Sequence, residues 1–288
     1  MSDDKKAILA VLAHPDDESF GMGGTLALYA HQGTSVHLVC ATRGEAGVVD
    51  PEYLQGYTSI AARREAELRC AAEKLGLTSV HFLDYRDSGM PGSQDNYHQQ
   101  ALIAAPVEEV AGKIAGYIRR LQPQVLLTFD PIGGYKHPDH IMVNKATVRA
   151  FELAGQASFE SALPPYQPAK LYFQVFSWGF LRHVLRLLVF FHVDLSRFGR
   201  NRDIDVTKLI EESNFPVHAR ISCRSMASQK YEASLCHASQ FWGVTFQRGP
   251  IRWLQYLMGT TEHYMRAFPP ADPDLKERDL FEGLGQRL

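Results

Sequence analysis

The chain has 288 residues, 45% of them hydrophobic, with a formal net charge of -2. That length supports a sizeable core, as one large domain or a domain with a subdomain. The near-neutral charge, with no long basic run, argues against nucleic acid as a partner, and no apolar stretch is long and uncharged enough to span a bilayer.

The N-terminus begins Met-Ser-Asp-Asp-Lys-Lys and runs into only a short apolar segment. That segment is too short for a signal peptide, so the expected location is cytoplasmic. The 4 cysteines, Cys40, Cys70, Cys223 and Cys236, form no CxxC pair. They are expected to be ordinary thiols in a reducing compartment, not zinc thiolates.

Residues 8–12, Ile-Leu-Ala-Val-Leu, read as a strand buried on both faces. The turn that follows, Ala13-His14-Pro15-Asp16-Asp17-Glu18, carries one imidazole and three carboxylates. A glycine-rich stretch comes next, then a predicted helix over 25–32 that stops at Gly33. A second strand over 35–41 leads into Thr42-Arg43-Gly44-Glu45. Residues 59–75 are helical, with a stripe of Ala62, Ala66, Cys70 and Leu75. A third strand over 80–83 hands over to a loop containing Asp87, and 91–97 read as surface loop. A helix over 107–121 precedes a fourth strand over 125–129. The next loop holds Tyr135, His137, Asp139 and His140, and a helix over 141–151 follows.

This alternation predicts an α/β fold, a Rossmann-like three-layer sandwich with a mostly parallel sheet. All four polar loops then lie at the carboxyl edge of the sheet, where such folds bind ligands. Residues 1–153 are read as the catalytic core. Residues 154–288 are read as a smaller C-terminal subdomain that completes the sheet and pocket. Within it, strands are expected at 171–178 and 204–207, and a helix at 225–239. The apolar, aromatic stretch 179–194 contains Arg182, His183 and Arg186, so it reads as a packed helix and not a membrane span.

His14 and Asp17, three apart on one turn, can converge on a point that suits zinc or a similar divalent ion. Two ligands are too few, and His137 and His140 at the same sheet edge are the candidates for a third. Three protein ligands with an open position would make a catalytic site. Either spacing alone is a weak signal; both together, each after a buried strand, are far more specific. Asp16 is then the candidate general base, and Asp139 a carboxylate that orients a neighbouring ring. The glycines after the first strand do not form GxGxxG, and acids stand where a pyrophosphate would bind, so a dinucleotide site is excluded.

The motifs Ala13-His14-Pro15-Asp16-Asp17-Glu18 and His137-Pro138-Asp139-His140 together resemble the LmbE-like, or PIG-L, zinc de-N-acetylases. The segments 230–233, 237–240 and 279–284 also resemble that family, which deacetylates N-acetylglucosamine units of glycoconjugates. It includes deacetylases of mycothiol, bacillithiol and glycosylphosphatidylinositol synthesis and a mycothiol-conjugate amidase. The resemblance implies that His14, Asp17 and His140 bind Zn2+ (Fe2+ being the alternative) and that Asp16 is the base on the activated water. It implies that His137 stabilises the oxyanion or protonates the leaving amine, with Asp139 holding its ring and Tyr135 assisting. Arg64 and Asp87 match sugar-binding positions of the mycothiol branch, and Glu45 is a further candidate. The implied partner is a small amino-sugar glycoconjugate, and a homo-oligomer is compatible with the sequence. Cleavage of a bulky thiol conjugate by the same site, and a non-catalytic sugar-binding module, are the alternatives. The aglycone is not encoded in these motifs.

Overall fold

The computed structural model describes residues 6–176, 208, 212–240 and 260–284. The elements in chain order are β1 (Ala7–Leu12), α1 (Asp17–His31), β2 (Ser35–Cys40), α2 (Ile60–Leu75), β3 (Ser79–Phe82), α3 (Val107–Leu121) and β4 (Val125–Phe129). They continue with α4 (Gly133–Lys136), α5 (Pro138–Gly155), β5 (Lys170–Val175), β6 (Ala219–Ser222), α6 (Ala227–Cys236) and β7 (Thr261–Phe268).

The strands form one sheet in the order β3-β2-β1-β4-β5-β7-β6. β1 to β5 are parallel to one another, while β7 runs antiparallel to both β5 and β6. The fold is therefore the expected α/β sandwich around a mostly parallel sheet. All six residues of β1 are buried, which is why its sequence is apolar without alternation. α1, α2 and α6 pack together, and α3 and α5 form a second pair. α2 starts where Ser59 Oγ accepts the Ala62 N–H at 3.1 Å and ends at Gly76, whose φ of 73° suits a left-handed terminus. α3 buries the stripe Val110, Ala111, Ile114, Ala115 and Ile118.

Several elements differ from the sequence expectation. α1 begins at Asp17, eight residues before the expected 25, and absorbs the glycine-rich stretch with a break at Met22. Gly24 is required there because a Cβ would collide with Cys223. α5 begins at Pro138, so that His137 is its N-cap residue. β5 stops at Val175. β6 and β7 were not expected; both extend the same sheet. The strand expected at 204–207, the stretch 179–194 and the end of the 171–178 strand lie outside the described residues. Cys70 and Cys236 are joined in a disulfide between α2 and α6, while Cys40 and Cys223 are buried thiols. The expectation of four ordinary thiols is thus corrected, and with it the thiol argument for a reducing compartment. Among the described residues, no helix is long and apolar enough to cross a membrane.

Candidate active site

The carboxyl ends of β1, β2, β3 and β4 bring His14, Glu45, Asp87 and the 137–140 segment to one sheet edge, as the alternation predicts. The loop after β1 is shaped by its own acids. The Asp17 carboxylate accepts the His14 N–H at 2.7 Å. Asp16 sits at φ 125°, a conformation that L-residues rarely adopt. Arg64, reaching from α2, donates Nη2 to Pro15 O at 2.6 Å and to Asp16 Oδ2 at 2.9 Å, and Nη1 to Gly44 O at 3.0 Å.

His14 Nδ1 lies 3.6 Å from Asp17 Oδ2 and 3.3 Å from His140 Nε2, which is itself 3.3 Å from Asp17 Oδ1. A tetrahedral ion with bonds of about 2.0–2.1 Å holds its ligand atoms about 3.3 Å apart. The other nitrogen of His14, Nε2, faces Asp139 Oδ2 at 3.0 Å and Asp87 Oδ1 at 3.4 Å. A neutral His14, with its proton on the nitrogen facing those carboxylates, would turn a lone pair toward the Asp17 carboxylate and His140. That contact is repulsive unless a cation, a proton or a metal ion, lies between them. Burial opposes charge on His14, but Asp87, Asp139 and Asp17 outweigh it and hold its pKa well above the ordinary value. Burial also opposes charge on Asp17, yet His140 and His14 hold its carboxyl well below the usual range. The donor set fits a divalent metal. The ligand-type atoms of His14, His137 and His140, and those of His14, Asp87 and Asp139, also cluster within 4.8 Å.

His137 is buried, and its Nδ1 accepts the Asp139 N–H at 3.2 Å. Burial, with His14 and His140 nearby, keeps this imidazole well below its usual pKa and so neutral. A neutral ring that accepts at Nδ1 carries its proton on Nε2. The ring of His140 stacks on Phe129 at 3.9 Å between centroids, and Tyr135 stands edge-on to it at 5.0 Å. Burial raises the Tyr135 phenol, which keeps its proton. Burial pushes the Asp16 carboxyl up to about 6, against the pull of Arg64.

One expected contact differs in the structure, and the other expected residues are placed as follows. The Asp139 carboxylate does not hold His137; Oδ2 meets His14 Nε2 and accepts the Ser88 N–H at 2.9 Å. Only the Asp139 backbone reaches the His137 ring. Arg64 is 3% exposed and engaged with the Asp16 turn. Glu45 accepts the Asp87 N–H at 3.0 Å, so these two expected sugar contacts adjoin one another. Sequence reasoning gave no role to Glu18 or Ser88. Glu18 is buried and paired with His237, whose Nε2 lies 2.7 Å from Glu18 Oε1. Burial resists both charges, but the pair lowers the Glu18 carboxyl and raises the His237 imidazole. The signal available was the residue pattern at 237–240, unassigned without a partner.

Residues 9–151 match the PIG-L family, described as GlcNAc-PI de-N-acetylase. A 1D-myo-inositol 2-acetamido-2-deoxy-alpha-D-glucopyranoside deacetylase of Thermomonospora curvata is 44% identical, with 99% of each chain covered. One of the same description from Streptomyces avermitilis is 36% identical, with 97% of each covered. The solved N,N'-diacetylchitobiose deacetylase of Pyrococcus horikoshii superposes with a TM-score of 0.61 at 21% identity, over 91% of this chain and 84% of that one. The 4-carboxy-2-hydroxymuconate hydratase GalB of Pseudomonas putida superposes with a TM-score of 0.59 at 22% identity, covering 93% of this chain and 98% of that one. A hydratase on the same fold shows that architecture does not fix the reaction. The site and the full-length relatives do define a class, the amide-hydrolysing deacetylases. The chain belongs to the PIG-L, or LmbE-like, family.

Proposed function

We propose that the protein removes the N-acetyl group from an N-acetylglucosamine-containing glycoconjugate, specifically the inositol-linked amino sugar named for its relatives. The mutual spacing of His14 Nδ1, Asp17 and His140 Nε2, with Asp16 on the same turn, is the observation that most supports this reading. His14, Asp17 and His140 would hold Zn2+, or Fe2+ in its place. The ion, when bound, supplies Lewis acidity toward a water and the amide carbonyl. Asp16 takes the proton of the attacking water. His137, with its proton on Nε2, donates to the carbonyl oxygen as negative charge develops there, or to the departing amine. Tyr135, protonated, is a second donor to that oxygen. Asp139 fixes the far nitrogen of His14 and so the ring's orientation. Asp87 and Glu45 are proposed to meet sugar hydroxyls, and Arg64 to contribute there from its place against Asp16. The division into a 1–153 core and a 154–288 subdomain that completes the pocket belongs to the same proposal.

The test is acetate release from a panel of N-acetylglucosaminides with different aglycones and a bulky thiol conjugate, with each metal added back. The inositol glycoside is expected to turn over fastest; preference for the thiol conjugate would overturn the substrate assignment. Asp16→Ala is expected to keep its metal and lose about 10²–10⁴-fold in kcat. Near-normal turnover would remove Asp16 as the base. His14→Ala is expected to lose bound metal by elemental analysis, and unchanged stoichiometry would refute its ligand role.

A further inference from the structure

Glu18 and His237 are both fully buried, and neither has a place in the chemistry above. They lie 219 residues apart in sequence, yet His237 Nε2 donates to Glu18 Oε1 at 2.7 Å. The same carboxylate accepts the Ser19 hydroxyl at 2.5 Å on Oε1 and the Asp16 backbone N–H at 3.0 Å on Oε2. Removing one partner of a buried ion pair leaves an uncompensated charge, so such pairs are sensitive points in a structure. This one bears on a strained residue. Asp16 has φ 125° and ψ -27°, and a conformation of that kind persists only where its surroundings hold it. The Asp16 carbonyl accepts the Ser19 and Phe20 N–H groups at 3.1 and 3.0 Å, and two side chains clamp the rest of the residue. Arg64 grips the carbonyl before Asp16 and the Asp16 carboxylate; Glu18 grips the Asp16 N–H. His237 in turn fixes Glu18.

We propose that Glu18 and His237 are a positioning pair for Asp16, locking its backbone so that its carboxylate is presented from one fixed orientation. Neither residue touches the substrate. The inference rests on the reading of Asp16 as the general base. It gives the C-terminal part of the chain a part in turnover: His237 closes α6 and carries the end of that helix to the loop after β1. Among the described residues, His237 Nδ1 has no hydrogen-bond partner, so the hydrogen bond that orients the ring is the one to Glu18, with the Phe20 ring tilted beside it at 6.0 Å between centroids.

The experiment compares His237→Gln, His237→Asn, Asp16→Ala and the double variant Asp16→Ala/His237→Asn, using the metal-loaded full chain and the N-acetylglucosaminyl inositol glycoside. A glutamine amide nitrogen falls where Nε2 of histidine lies; an asparagine amide falls short of Glu18. His237→Asn is expected to lower kcat about 10- to 100-fold, with KM and metal stoichiometry unchanged. His237→Gln should recover most of that loss. Because the pair acts through Asp16, the double variant should be no slower than Asp16→Ala. Wild-type kcat in His237→Asn overturns the proposal, as does equal damage from Asn and Gln. A double variant slowed by the product of the two single effects also overturns it. Failure of the underlying reading shows separately, as near-normal turnover in Asp16→Ala alone.

Discussion

Asp139 stands between two histidines in sequence, but its carboxylate serves a third, His14, 125 residues away. That partner could not be read from the sequence, because spacing reveals only near neighbours. The motif residues were legible for the opposite reason: His14 and Asp17 share one turn, and His137 and His140 one helix start. Asp139→Asn keeps the volume and replaces the charge facing His14 Nε2. It is expected to weaken metal affinity by about 10- to 100-fold, measured by competition with a chromogenic chelator. Gly44 is a second point where geometry decides. It sits at φ 69°, and a Cβ there would overlap the Arg64 guanidinium. Gly44→Ala should displace Arg64 from Asp16 and lower kcat by about 10²-fold while metal content holds.

Helix starts are the element on which the site depends. α1 begins at Asp17 and α5 at Pro138, each earlier than periodicity suggested. Both first turns are polar, so hydrophobic spacing is silent there. The positive ends of these helices favour the first-turn carboxylates Asp17 and Asp139. β7 was illegible because Thr-Glu-His-Tyr-Met-Arg-Ala-Phe mixes charge with apolar side chains, and β6 has only four residues. The disulfide was illegible as well, since any two of the four cysteines could in principle be joined and sequence does not choose among them. It fastens α6, and with it His237, to α2, which carries Arg64. Thiol titration in denaturant should find Cys40 and Cys223 without reductant, and all four cysteines after reduction. Cys70→Ser/Cys236→Ser is expected to lower stability by about 2–4 kcal/mol in urea unfolding.

At the scale of the whole molecule, a buried cluster fixes the last described segment to the sheet. Lys170 Nζ meets Glu277 Oε1 at 2.7 Å and Tyr172 Oη donates to Glu277 Oε2 at 2.7 Å, while Arg266 Nη1 pairs with the same carboxylate at 2.8 Å. Glu277→Ala strands Lys170, which is 3% exposed, and should cost about 3–5 kcal/mol in denaturant unfolding. The acids around His14 make a different prediction. Chelator treatment should lower Tm by about 5 °C relative to protein held at a hundredfold excess of free ion over Kd, and added Zn2+ should restore it. The parallel half of the sheet was legible from buried apolar runs such as β1. The antiparallel edge was not, because β6 is too short, and β7 too mixed in charged and apolar side chains, to show a strand pattern. The long reach from Glu18 to His237 also orders events during synthesis. Every side chain proposed to grip the ion has been made by residue 140, whereas His237 follows roughly a hundred residues later. At about 5–20 residues per second that interval lasts on the order of 5–20 s. Nascent chains arrested before residue 237 are therefore expected to release no acetate even with Zn2+ supplied, and chains extended past it to gain turnover.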